Sequence, residues 1–96
     1  MFIWKISQDV ETGYDTWDSA IVIAPCKKSA VETHPNGYLE WEEEAGFWWD
    51  TEDQSPVPYS HGWAPTPADV DCVRIGIVSD IESAKQSIVL ASYRAG

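Results

Sequence analysis

Two pairs of apolar, strand-like segments sit at opposite ends of the chain, and they restrict the fold more than any other feature. Phe2, Trp4 and Ile6 alternate with Ile3, Lys5 and Ser7, the pattern of a strand with one face more apolar than the other. Asp18 to Ala24 reads as a second strand, in which Ile21 and Ile23 face away from Ala20 and Val22. Towards the C-terminus, Asp71 to Val78 alternates Val73, Ile75 and Ile77 against Cys72, Arg74 and Gly76, and Ser87 to Tyr93 is an apolar, β-branched run suited to an interior strand. The expected framework is an antiparallel sheet of four strands near residues 2–7, 18–24, 72–78 and 87–93, the first two being neighbours.

Between the first two segments, residues 8–17 are rich in Asp, Thr and Gly, which supply local turn hydrogen bonds. The connection is longer than a tight hairpin needs, and longer loops are more often functional. After Pro25, residues 26–34 predict a helix of about two turns, with Cys26, Ala30 and Val31 on one side and Lys27, Lys28 and Glu32 outside. Pro35, Asn36 and Gly37 end it. Residues 37–41 and 46–49 then read as the short strands of a hairpin excursion, while Pro56, Pro58, Pro65 and Pro67 make residues 54–68 ordered coil. Residues 79–86 join the last two strands, with room for one helical turn. This order of elements favours α+β: a small antiparallel sheet of about four strands, one short helix on one face, and a long acidic, Trp-rich insertion over about 37–68. A chain of 96 residues allows one domain, spanning 1–96, and one modest core. There is no internal repeat.

The middle of the chain carries the chemistry. From Glu40 to Asp53 there are seven carboxylates (Glu40, Glu42, Glu43, Glu44, Asp50, Glu52, Asp53), no basic residue, and three tryptophans, Trp41, Trp48 and Trp49, with Trp63 ten residues beyond Asp53. Carboxylates this dense are costly to bury unpaired and belong in water or against a partner's Lys and Arg. Tryptophan anchors interfaces because a large rigid ring loses little side-chain entropy on burial. The functional reading is thus a partner-binding surface made of all these residues except Trp63; the bland reading is a solvated acidic loop with the rings forming a satellite core.

Composition limits the partner. Sixteen acids against six bases give a formal charge of −10, which opposes direct binding to nucleic acid or to an anionic membrane and favours a cationic protein surface. Cys26 and Cys72 are expected as reduced, buried thiols of a cytoplasmic protein, and His34 and His61 as surface imidazoles. Their spacing matches no metal-ligand signature, so neither a metal nor another cofactor is expected. Asp9, Glu11 and Asp15 lack the bidentate Glu of a calcium loop. No nucleophile elbow occurs, and no catalytic pair stands out among sixteen acids, so an enzyme is not expected. An alternative ligand-binding reading places Asp9, Tyr14, Asp15 and Trp17 in a polar pocket for a small nucleotide, against the plainer reading of those residues as turn architecture.

Residues 4–10 (WKISQDV) with 12–20 (TGYDTWDSA), and the ending 88–96 (IVLASYRAG), resemble a group of small uncharacterised bacteriophage-encoded proteins. The resemblance covers both ends of the chain and not the acidic middle. It implies a phage setting and brings no activity with it. Small, strongly acidic proteins in that setting resemble in bulk character the anti-CRISPR and other anti-defence inhibitors. The expectation from sequence is therefore an inhibitor acting in the bacterial cytoplasm through an acidic, aromatic, nucleic-acid-mimicking surface. The other expectations are a sponge for a small nucleotide signal, which needs a pocket with cationic donors, and an assembly factor, which needs an apolar self-complementary patch. A monomer or small homo-oligomer fits each.

Overall fold

A computed structural model describes residues 1–57, 62–78 and 87–94. Strand β1 (Phe2–Ser7) pairs antiparallel with β2 (Thr16–Ala24), Phe2 facing Ala24 and Ser7 facing Ser19. The long connection is closed by one side chain. Gln8 is buried, its Nε2 donates to the carbonyls of Glu11 (2.8 Å) and Trp17 (2.7 Å), and its Oε1 accepts the N–H groups of Val10 (2.9 Å) and Glu11 (2.8 Å). A backbone that would otherwise compete for water is thereby satisfied from inside.

Helix α1 (Lys27–Val31) is shorter than the expected 26–34, with Cys26 at its N-cap. Glu32 N–H still reaches the Lys28 carbonyl, but Thr33 turns out of the helix to bridge Glu40, and its hydroxyl closes on the Ser29 carbonyl at 2.9 Å. His34 precedes Pro35, and a residue before proline is pushed out of the α region. The helix buries Ala30 against the sheet, while Cys26 is exposed and Cys72 half-buried, so the expectation of two buried thiols fails for Cys26.

The acidic middle forms a second antiparallel sheet from β3 (Leu39–Glu42), β4 (Phe47–Asp50) and β5 (Ser55–Val57). The hairpin of β3 and β4 was expected; β5, inside the stretch expected as coil, was not. Its Pro56 is tolerated because β5 is an edge strand, where a missing N–H leaves no ladder partner unserved. A single 3-10 turn, Pro67–Asp69, leads into β6 (Asp71–Ile77). Strand β7 (Ser87–Arg94) completes the first sheet in the order β6-β1-β2-β7, all neighbours antiparallel. The strand expected in the interior is therefore an edge. His61 and the 79–86 connection lie outside the described residues.

The two sheets share one core. Ile6, Ala20, Val22 and Ala24 come from the first sheet, Leu39, Trp48 and Val57 from the second, and Trp63, Ala64 and Val70 from the segment between β5 and β6. The result is a small α+β protein of mostly antiparallel strands with one short helix. On the face of the first sheet away from this core, one cross-strand row reads Val73, Lys5, Ile21, Leu90, flanked by a row of Gly76, Ile3, Ile23, Ser87 and a row of Asp71, Ser7, Ser19, Ser92.

Candidate partner-binding face

Side chains alternate across a strand, and directly opposed residues of an antiparallel pair share a face. In the second sheet Trp41 opposes Trp48, which opposes Val57, and these point to the core. Glu42 opposes Phe47, Glu40 opposes Trp49, and Trp49 opposes Pro56, so these five lie on the outward face. There an apolar strip of Phe47, Trp49 and Pro56 runs beside two carboxylates. The β3–β4 turn adds exposed Glu43 and Glu44, and the β4–β5 turn adds exposed Glu52 and Asp53.

The ten residues expected to form a partner-binding surface are thus divided. Glu40, Glu42, Glu43, Glu44, Trp49, Glu52 and Asp53 share the outward side or its turns. Trp48 is only 1% exposed, and its indole N–H donates to the Ala64 carbonyl at 3.0 Å. Trp41 is half-buried and meets Trp48 edge-on at 5.3 Å. Both rings are therefore structural, and Trp48 cannot anchor a partner from inside the core. Asp50 is committed to its turn, its Oδ1 accepting the N–H groups of Glu52 (2.9 Å) and Asp53 (3.0 Å). Phe47 was not among the expected residues; the signal for it was its place two residues before Trp49. Glu43 is also held lightly, by Lys28 Nζ at 3.4 Å, the same ammonium that binds Glu32 at 2.9 Å. The hydrogen bond to Glu32, first among several contacts, raises the Lys28 pKa. Such exposed pairs leave a partner free to compete.

Behind this face His34 is 1% exposed, not a surface imidazole. Its ring lies 5.7 Å from Trp17, 5.1 Å from Trp48 and 6.4 Å from Trp63. Nδ1 accepts the Asn36 N–H at 3.2 Å, which assigns the proton of a neutral imidazole to Nε2. Asn36 Oδ1 in turn takes the N–H groups of Tyr38 and Leu39 at the entry to β3. The ring cluster therefore stiffens the scaffold from which the outward residues project.

The alternative pocket is not assembled in the same way. Tyr14 is 81% exposed on its loop, whereas Trp17 packs at 4.7 Å on Tyr93 and against His34. Asp9 is exposed, and Asp15, at φ 60°, hydrogen-bonds Tyr93, whose phenol is pushed above its ordinary range by partial burial and by that carboxylate. A cleft of about 450 Å³ does open between the end of α1 and the start of β3, lined among others by Glu32, Thr33, His34, Leu39, Glu40 and Ile88. Its lining includes two carboxylates and, among the described residues, neither Lys nor Arg. Among those residues no cluster of three or more His, Cys, Asp or Glu could hold a metal ion, and no helix is long and apolar enough to cross a membrane. Comparison of the chain with protein-family models, curated proteins and solved structures finds no match.

Proposed function

We propose that this chain is a non-enzymatic, phage-encoded inhibitor that acts in the bacterial cytoplasm, docking the outward face of its second sheet on a basic surface of a host defence or nucleic-acid-handling protein. One observation carries the reading: the apolar strip Phe47, Trp49 and Pro56 lies in register with Glu40 and Glu42 and is bracketed by the acidic turns. An aromatic strip supplies the desolvated centre of an interface, and peripheral carboxylates supply steering toward a cationic partner in place of phosphates. The sponge reading is less supported, because Glu32 and Glu40 in the cleft would repel a phosphate.

The test is capture of the host partner, followed by association and dissociation rates for variants. Changing Glu42, Glu43 and Glu44 together to Gln removes three charges at constant side-chain length; it should slow association several-fold and flatten its salt dependence. The same variant should protect a phage less well than the parent does. A triple variant that binds and protects as well as the parent would make the acidic turn a solubilising feature only.

A further inference from the structure

The cleft between the end of α1 and the start of β3 has a fixed deep side, because two of the residues that line it, His34 and Leu39, are almost wholly buried. One wall is apolar. Ile88, at the start of β7, forms it, and the turn before β3 stands against that wall: a Cβ on Gly37 would come to 4.0 Å from Ile88 Cδ1. Glu32 and Glu40 line the same recess. Glu32 is held by Lys28 Nζ at 2.9 Å, whereas Glu40 has no ion pair among the described residues. Glu40 also opposes Trp49 on the outward face of the second sheet, so it belongs to the cleft and to the acidic face at once. Paired strands lie about 4.8 Å apart, which sets the recess directly beside the aromatic strip. Its volume of about 450 Å³ is within the range of built ligand pockets, about 300–1,000 Å³.

We propose that this cleft receives one cationic side chain, Lys or Arg, of the docking partner, with its charged head between Glu32 and Glu40 and its methylene stem along Leu39 and Ile88. That the cation belongs to a partner protein rests on the proposed function; the preference of the cleft for a cation does not. Long basic side chains join an apolar stem to a charged head, the two chemistries that the wall and the carboxylates present. Other occupants fit worse. A phosphate meets two like charges, and a neutral apolar ligand strips water from both carboxylates without replacing it. A metal ion needs more ligands, and among the described residues no cluster of three or more His, Cys, Asp or Glu gathers here. Lys28 does not close the site, because a carboxylate accepts from several donors and an exposed pair is weak. A free diamine carries the same head, but it has no backbone to continue from the cleft onto the strip beside Trp49. The cleft thus adds position to the docking face: the strip supplies apolar burial, and the recess requires a cation at one place on the partner.

The test is a titration of the isotope-labelled full chain, followed by amide NMR shifts, with the Nα-acetyl amides of arginine, lysine and citrulline, the last being a neutral isostere of arginine. At least one cationic probe should saturate at about 1 mM, the affinity expected of a ligand this small. Its shifts should cluster at Gly37, Leu39, Glu40 and Ile88, and citrulline should bind about tenfold more weakly or worse. Glu40→Gln should weaken the cationic probe about threefold to tenfold, while Glu52→Gln, which removes the same charge from the β4–β5 turn, should change it less than about twofold. Equal losses in these two variants would make the binding a general attraction to a chain of charge −10 and overturn the proposal. So would equal binding of citrulline, shifts centred elsewhere, or putrescine binding about tenfold more tightly than either cationic amide. No host protein enters this titration, so it fails separately from the docking reading. An empty cleft beside a Glu42, Glu43 and Glu44 triple variant that loses protection overturns the cleft alone; a cation-binding cleft beside a triple variant that still protects overturns the assignment to a partner.

Discussion

Gly62→Ala is the substitution whose cost the geometry defines best. Gly62 sits at φ +77°, and its carbonyl accepts the Trp17 N–H at 2.8 Å at the start of β2. A Cβ there would stand 2.5 Å from the Asp15 carbonyl oxygen and 3.1 Å from Thr16 Cα. These are backbone atoms, held by β2 and by the Gln8 clasp, so no side-chain rotation relieves the overlap. The left-handed conformation costs about 1–2 kcal/mol for a residue with Cβ, and forced overlap in packed surroundings adds about 1–3 kcal/mol. Gly46 supplies the control. It has φ +75° in the β3–β4 turn, and a Cβ there meets nothing within 4 Å. Gly46→Ala should therefore cost about 1 kcal/mol from conformation alone, and the gain from a less flexible unfolded chain is common to both variants. The difference, about 2 kcal/mol, corresponds to roughly 8–16 °C in melting temperature for a domain of this size. Thermal unfolding followed by circular dichroism measures it directly, and amide exchange at Trp17 should accelerate in the Gly62 variant only. Two variants melting within about 3 °C of each other would refute the close-approach argument.

Further predictions follow from single groups. Gln8→Ala removes all four hydrogen bonds of a buried amide and should cost about 2–3 kcal/mol, with hydrogen exchange at Val10 and Glu11 rising together. Cys26 is exposed, and its thiol is held below the ordinary range by hydrogen bonds from Ser29, whereas burial pushes the Cys72 thiol up. As pH rises, Cys26 should become thiolate first and be alkylated by iodoacetamide well before Cys72; mass mapping of the modified peptide decides this. Trp48→Ala should cost about 3–5 kcal/mol of stability. Trp49→Ala, at a half-buried ring on the outward face, should cost clearly less stability than Trp48→Ala and raise the dissociation rate of a partner complex, weakening it by about 2 kcal/mol or more. Equal effects of the two on stability would mean that the strand register assigned to β4 is wrong.

The sequence announced the first sheet through its apolar segments, alternating in the first and third strands and continuous in the last: all four expected strands form within two residues of their expected limits. It was silent on order. Ser87 to Tyr93 is apolar at nearly every position, which normally means cover on both faces, and that is why it read as an interior strand. Val89 and Leu90 are instead 59% and 66% exposed, so the run does not encode cover on both faces, and β7 ends the sheet rather than lying within it. Strand β5 was hidden for the opposite reason. Three residues with a central proline carry no alternation to read, and only pairing with β4 makes them a strand.

The candidate site was legible in composition but not in direction. A run of Phe47, Trp48 and Trp49 looks like one aromatic patch, yet in a strand consecutive side chains must part, and the only question is which pair faces out. Register decides it. Trp48 opposes Val57 and Trp41, so it goes to the core, and Phe47 and Trp49 are left beside Glu42 and Glu40. The burial of His34 could not be read from its neighbours in sequence, because the rings that enclose it come from positions 17, 48 and 63. Each of those contacts is non-local, and a single imidazole has no periodicity to announce where it points. What the acidic middle encodes is therefore two layers at once: inward rings that hold the second sheet on the first, and outward rings set among carboxylates, the face on which the proposed function rests.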